Sequence, residues 1–305
     1  MEWWWIALIC CASAGIAVLI WATLIERLAF TVVEEEQPLA VLAVDAKPIR
    51  VLHISDLHLA PWQRKKQRWL RALPNRVQFD LVVNTGDNLG HRDALPVTLD
   101  ALGGLMHSPG VFVNGSNDYY APQFRNPFEY LKAPSERKSQ VPLNTKALTD
   151  AFEAAGWLNL NNRGGRLQIA GQAIGFVGVD DYHDGLADLS SLSASAGIGG
   201  EYSSTLIGVS HAPYLAVIDA MNDLGVAVLF AGHTHGGQVC VPGYGALVTN
   251  CDLPTKAAKG LSSWSRGGRQ LWLNVCAGLG HSIYAPVRLA CRPEVRIVTL
   301  VAKNF

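Results

Sequence analysis

The sequence has no charge of either sign to spare: 25 lysines and arginines face 25 aspartates and glutamates in 305 residues. Proteins dedicated to nucleic acid carry a basic excess to neutralise phosphates, so no nucleic-acid partner is expected. Glycine shows no triplet period and no segment repeats at a period of about 20–50 residues, which removes collagen-like chains and solenoids. The six cysteines form no CxxC pair. Cys10 and Cys11 lie in an apolar run, and Cys240, Cys251, Cys276 and Cys291 are compatible with disulfides or with inert buried thiols. With 49% hydrophobic and only 16% charged residues, the chain is too apolar for a disordered protein and can bury a large core.

One stretch lacks charge altogether. From Trp3 to Ile25 no residue is charged, and the run ends at Glu26-Arg27. As a helix it spans about 34 Å, enough for a hydrocarbon core of about 30 Å. Trp3, Trp4, Trp5 and Trp21 lie towards its ends, where indoles suit the membrane interface. A secretory signal has a basic start and a shorter apolar core. The expectation is therefore a retained single-pass anchor in the cell membrane over residues 1–26, a linker over 27–48 and one α/β domain over 49–305. Arg27, the basic residue beside the span, favours a cytoplasmic domain by the positive-inside rule.

Within that domain, apolar β-like runs repeatedly end in metal-liking side chains. Ile49–Ile54 leads into Asp56-Leu57-His58, Leu81–Val83 into Gly86-Asp87-Asn88, and Val111–Val113 into Gly115-Ser116-Asn117-Asp118. Leu206–Val209 leads into Ser210-His211, and Val226–Phe230 into Gly232-His233-Thr234-His235. Helix-like stretches at Gln67–Leu73, Ala94–Leu105, Thr145–Ala155 and Tyr214–Leu224 separate them. Open α/β sheets bind ligands at the carboxyl ends of their strands, so five such ends can converge on one rim. In Asp56-x-His58 and His233-x-His235, the two-residue spacing puts both side chains on one side of an extended backbone. Carboxylate and imidazole without thiolate suit divalent Mn, Fe or Zn. The donors exceed the needs of one four-coordinate ion, and two ions sharing a carboxylate can clamp an in-line phosphoryl displacement.

These blocks, in this order, make the chain resemble the calcineurin-like metallophosphoesterases across residues 49–305, the Gly-His-Thr-His-Gly-Gly-Gln block at 232–238 being the most specific. Within the family it looks most like the membrane-anchored bacterial branch whose better-known members act on phospholipids or lipid-linked diphosphates. The resemblance implies a two-sheet mixed β-sandwich flanked by helices, and hydrolysis of a phosphoester or diphosphate bond by metal-activated water. It also implies one metal on Asp56, His58, Asp87 and His235, and a second on Asp87, His211, His233 and an asparagine, with Asp87 bridging.

The asparagine is where the pattern breaks. The family motif Gly-Asn-His-Asp reads Gly115-Ser116-Asn117-Asp118 here. Either Ser116 replaces the metal-binding amide in register, or a small loop shift lets Asn117 supply it; the second is adopted, with Asn117 and Asp87 as catalytic candidates. The segment has no histidine for the leaving group, and His91, His107 and His281 are the stand-ins considered, with His53 expected as a core or supporting residue. Arg64 and Lys65, in a basic cluster with Lys66, Arg68 and Arg71, and Arg288 are candidates for contact with a phosphorylated substrate or anionic lipid. The Pro-rich stretch from Tyr119 to Pro142, with Phe124, Phe128 and Tyr130, is a candidate lid or membrane-facing wall, and 185–205 reads as a plain loop. A second reading of the same residues is a catalytically weak metal protein that binds a phosphorylated lipid or a partner.

Overall fold

An apolar helix leads into the domain. In the computed structural model, which describes residues 3–39, 42, 46–124, 141–194 and 205–302, α1 (Trp3–Ile20) continues through a π turn at Trp21–Ile25 and a final tight turn at Glu26–Leu28. Its length and composition suffice to cross a membrane. The side chains of α1 are exposed, whereas Ala22 and Glu26 at its base are buried. Phe128, Tyr130 and residues 195–204 of the expected loop lie outside the described residues.

Two six-stranded sheets follow. The first has the order β1 (Thr31–Leu39), β14 (Glu294–Ala302), β2 (Ile49–Ile54), β3 (Leu81–Asn84), β4 (Gly110–Phe112), β5 (Leu158–Asn159). All its pairs are parallel except β14 with β2. The second runs β12 (Gly260–Arg266), β13 (Arg269–Val275), β9 (Val228–Ala231), β8 (Leu206–Val209), β7 (Gln172–Gly178), β6 (Arg163–Ile169). Its outer pairs β12–β13 and β6–β7 are antiparallel hairpins around a parallel centre.

Side chains alternate across each strand and build three layers. Val51, Val83 and Val111 of the first sheet meet Ile207, Val209, Val228 and Phe230 of the second between the sheets. Leu52, Ile54, Val82 and Phe112 face outward under α2 (Arg64–Ala72), α3 (Leu95–Leu102) and α5 (Thr145–Ala154), which contribute Leu70, Leu102 and Phe152. On the other side Val177, Leu229 and Leu273 pack against Val217, Ile218 and Met221 of α7 (Leu215–Leu224). The fold is thus the expected helix-flanked two-sheet sandwich. His53 lies in the layer between the sheets, its Nδ1 2.9 Å from Asn274 Oδ1 and its Nε2 3.2 Å from Thr85 Oγ1.

The segment expected as a linker, 27–48, is corrected by β1. Its nine residues pair in register with β14, from Thr31 with Glu294 to Leu39 with Ala302. The carboxylate of Glu35 lies 2.7 Å from the Arg296 guanidinium and also accepts from Asn274 Nδ2. Arg296 in turn lies 2.5 Å from Glu294. The structural domain therefore begins close to Thr31. Because Arg296 is buried, Glu35→Ala leaves a cation short of a partner and is expected to cost about 3 kcal/mol. Glu34→Ala, which removes an exposed pair with Arg50, is expected to cost no more than about 0.5 kcal/mol. Urea unfolding of the two variants side by side checks the difference.

Candidate metal centre

The parallel strands deliver their carboxyl ends to one place. After β2 come Asp56 and His58, after β3 Asp87, after β8 His211, and after β9 His233 and His235. Two groups of ligand atoms result, Asp56 with His58 and His235, and Asp56 with Asp87 and His211, each within 4.8 Å. His235 Nε2 lies 3.4 Å from Asp56 Oδ1, His58 Nε2 3.4 Å from Asp87 Oδ2, and His211 Nε2 3.6 Å from that same oxygen. The Nε2 atoms of His58 and His235 are 3.1 Å apart. His233 joins neither group. Its ring packs edge-on to His211 at 5.2 Å, and its Nε2 lies 3.1 Å from the Asn250 carbonyl, which leaves Nδ1 as its acceptor when Nε2–H donates.

The backbone bends sharply to achieve this. Asp56, His58, Asp87, His233 and His235 all take left-handed φ values, from 39° to 68°. Non-glycine residues rarely adopt that region, and they cluster there at functional sites. Neighbouring glycines give the room: a side chain at Gly115 would strike the Asp87 carboxylate and the His211 ring, and one at Gly232 would strike Ser55 and Asp56.

Hydrogen bonds aim the ligand atoms. His211 Nδ1 donates to the Thr85 carbonyl at 2.8 Å, which aims Nε2 inward. Asp56 Oδ2 accepts from Ser55 Oγ and the His233 amide, leaving Oδ1 for the centre. Asp87 accepts from the Asn117 amide at 2.7 Å and from its side-chain Nδ2 at 2.6 Å. Asp56 Oδ1 and His211 Nε2 are buried without any hydrogen-bond partner. Buried polar atoms normally have partners, so these two, aimed into a set of hard and borderline donors, fit divalent cations.

Electrostatics agree. Burial lowers His58 to about 4 and pushes His233 and His235 well below the usual range, so their lone pairs are open at neutral pH. Burial also opposes a charge on His211, but Asp87, Asp56 and Asp181 outweigh it and raise that ring to about 9. Burial raises Asp56 to about 6, whereas for Asp87 the neighbouring His211 and His58 and the Asn117 hydrogen bonds overcome burial and hold it ionised.

Other expected residues fall differently. Arg64 and Lys65 are exposed on α2, outside the ligand groups. Lys66 is buried, its Nζ 2.6 Å from the Leu57 carbonyl, and Arg71 pairs with Asp100. Arg288 is corrected: it is wholly buried and donates to the carbonyls of Gly280, His235, Ala277 and Gly278, so it braces the ligand loops and presents nothing to a substrate. His91 accepts from the Asp93 amide and meets Trp62 edge-on, and His281 lies between Ser282 and Arg27. His107 precedes β4, at the opposite end of the sheet.

A sixth strand end, after β7, escaped the sequence reading although Asp180-Asp181-Tyr182-His183 carries the same signal. Asp181 is buried with no partner on Oδ2, and burial raises it to about 7. The His183 ring lies 4.7 Å from that of His233, and its Nδ1 is 2.9 Å from the Tyr214 hydroxyl.

A proton on His211 must leave before that nitrogen can bind metal, so metal uptake at neutral pH is expected to release protons. Affinity should rise about tenfold per pH unit up to about pH 9, and more steeply below about pH 6, where Asp56 also protonates. Calorimetric titration in buffers of different ionisation heat checks this. Asp87→Ala is expected to lose both ions and Gly115→Ala to weaken both, whereas His58→Ala and His211→Ala each lose one, by elemental analysis.

A family model of calcineurin-like phosphoesterases matches residues 49–237. An uncharacterized metallophosphoesterase of Bacillus subtilis (strain 168), YkoQ, is 27% identical over 204 residues, 64% of this chain and 64% of its own length. A second from that organism, YkuE, is 28% identical over 141 residues, 46% of this chain and 43% of its own length. The chain thus spans less than two thirds of the length of these curated relatives. Of the solved structures, Haemophilus influenzae NAD nucleotidase (NadN) aligns with a TM-score of 0.43 and 14% identity, over 76% of this chain and 51% of that one. Phosphopantetheinyl hydrolase (PptH) of Mycobacterium tuberculosis aligns with a TM-score of 0.40 and 10% identity, over 78% and 94%. The family match takes in more than half of the chain and every strand end that supplies Asp56, His58, Asp87, His211, His233 or His235, and the chain belongs to the calcineurin-like phosphoesterase family.

Proposed function

We propose that the protein is a membrane-anchored phosphohydrolase with two divalent metal ions, cleaving a phosphoester or diphosphate bond of a phosphorylated lipid. The observation that carries this reading is the pair of buried, unpartnered ligand atoms, Asp56 Oδ1 and His211 Nε2, in residues grouped with Asp87. Asp56, His58, Asp87 and His235 would hold one ion; Asp87, His211, His233 and Asn117 would hold the other. Divalent ions bound there supply an acidified water and neutralise charge on the phosphate.

The chain's own groups do the rest. Asp87, kept ionised, is the shared carboxylate, and Asn117 holds it through two hydrogen bonds. A retained anchor is supported by its base: the Ala22 carbonyl accepts from the Arg288 amide, and Glu26 Oε1 accepts from the Cys291 amide at 2.8 Å. Cleavage after residue 25 would strip the first of these from the loop beside the ligands. The cytoplasmic side remains the reading from Arg27. Purified protein loaded with Mn²⁺ and given an aryl phosphodiester tests the activity; metal-dependent turnover abolished in Asp87→Ala supports it. Tight metal without turnover on any phosphoester would instead favour a metal protein that only binds a phosphorylated lipid.

Asn117 sets the expected substrate preference. Its amide donates hydrogen bonds but delivers no proton near neutral pH. A diphosphate or aryl ester expels a group already stable as an anion, whereas an alkyl monoester expels a basic alkoxide. Rates are therefore expected to fall steeply as leaving-group pKa rises, and Asn117→His to recover part of the alkyl deficit, up to the about 10²–10⁴-fold of general acid help. A series of phosphoesters of graded leaving-group pKa is the measurement. A flat series that becomes steep in His183→Ala would move the acid role to His183.

A further inference from the structure

The anchor enters the domain at the same end as the metal centre. Its base is seated on the segment from Cys276 to Pro293, through Ala22 with Arg288 and Glu26 with Cys291. That segment also touches the first metal motif, Gly280 N donating to the Asp56 carbonyl at 2.6 Å. On leaving the anchor, β1 starts opposite Glu294, the first residue of β14, and Glu294 N donates to the Gly278 carbonyl. The far end of the sandwich is marked by the β6–β7 turn at Ala170-Gly171, since β7 runs from there towards the centre.

Around this anchored end stand large apolar side chains with their faces in solvent. The short hairpin of β10 (Cys240–Val241) and β11 (Gly245–Ala246) bears Val241, Tyr244 and, just beyond, Leu247, all exposed, Tyr244 by 73%. The hairpin is tied to the anchor's seat by the Val239–Leu289 bridge and by Gln238 Nε2 donating to the Ala285 carbonyl. Tyr284, in that seat, meets the exposed Phe124 edge-on at 5.9 Å. Beside them α2 is held to the anchor's exit by Phe30 against Trp69 at 5.7 Å. Its exposed Arg64, Lys65 and Arg68 make no ion pair among the described residues, and exposed Trp62 precedes them. Buried Lys66 is turned inward and Arg71 is paired, so the cationic face is these three residues.

Exposed aromatic and aliphatic side chains, with three cations on α2 that have no ion pair among the described residues and a membrane-length helix at the same end, match one partner: an anionic bilayer surface. We propose that the rim made by the 239–247 hairpin, the Tyr284 loop and the N-terminal turn of α2 lies on the headgroup layer. The metal centre then opens at the depth of lipid phosphates, and its substrate is a phosphorylated amphiphile whose apolar part stays in the bilayer. This rests on the anchored reading above, and the test separates the two.

The full-length protein is reconstituted into phosphatidylcholine vesicles containing phosphatidylglycerol, with p-benzoylphenylalanine in place of Tyr244, Tyr284, Ile16 or Gln168. Ile16 lies in the anchor, and Gln168 is exposed at the far end of the sandwich. After irradiation, lipid adducts are read as mass shifts of the labelled peptide. The expected result is adducts at Tyr244 and Tyr284 comparable to those at Ile16 and at least about tenfold above Gln168. Adducts at Ile16 with Tyr244 and Tyr284 no higher than Gln168 would overturn the docked rim while sparing the anchor. Absence of adducts at Ile16 as well would overturn both.

Discussion

The metal end of the molecule is organised around two carboxylates, Asp56 and Asp87, buried close enough to share ligands. A charge taken out of water costs several kcal/mol unless it is paired and hydrogen-bonded. The protein supplies part of that compensation itself, with Ser55 and the His233 amide on Asp56 and both nitrogens of Asn117 on Asp87. It withholds the remainder by leaving Asp56 Oδ1 and His211 Nε2 unsatisfied. The left-handed backbone at five ligand residues and the missing side chains at Gly115 and Gly232 serve the same end. Backbone strain and unsatisfied polar atoms are both carried by the folded chain, and a cation held there would relieve the second.

Much of this was readable in the sequence because the motifs sit where apolar runs stop. The ligand types follow from Asp56-x-His58, Asp87 and His233-x-His235 at strand ends, and the helix-flanked sandwich from the family resemblance that these blocks carry. What was not readable depended on partners far along the chain. Glu34-Glu35-Glu36 looks like the solvated charge of a linker, yet Glu35 finds Arg296 across the sheet and makes the segment a strand. Arg288 looks like a phosphate ligand because its partners are backbone carbonyls, which leave no residue-type signature. Asp181 and His183 carried the right signal at a strand end but matched no familiar block, so only the ring contact of His183 with His233 and the buried, unpartnered Oδ2 of Asp181 expose them.

The segment from Cys276 to Pro293 connects features that are otherwise remote. It receives the base of the apolar helix, lines the back of Asp56, and is gripped by the Arg288 guanidinium through the carbonyls of Ala277, Gly278 and Gly280. Hydrogen bonds thus tie the base of the helix to the segment that backs Asp56, where a bare flexible tether would leave its orientation to chance.

The strand order of the first sheet also dictates a sequence of events during synthesis. Among the described residues β1 pairs with no strand but β14, which follows every other strand and lies between β1 and β2. Until β14 emerges, β1 hangs from the helix with no ladder partner and β2 is an open edge. Such non-local pairing is slow to form and exposes edges that invite association with other chains. Near the ribosome, then, the nascent domain is an unfinished sheet that follows an apolar helix. Glu34, Glu35 and Glu36 keep its waiting strand charged until the last strand closes it.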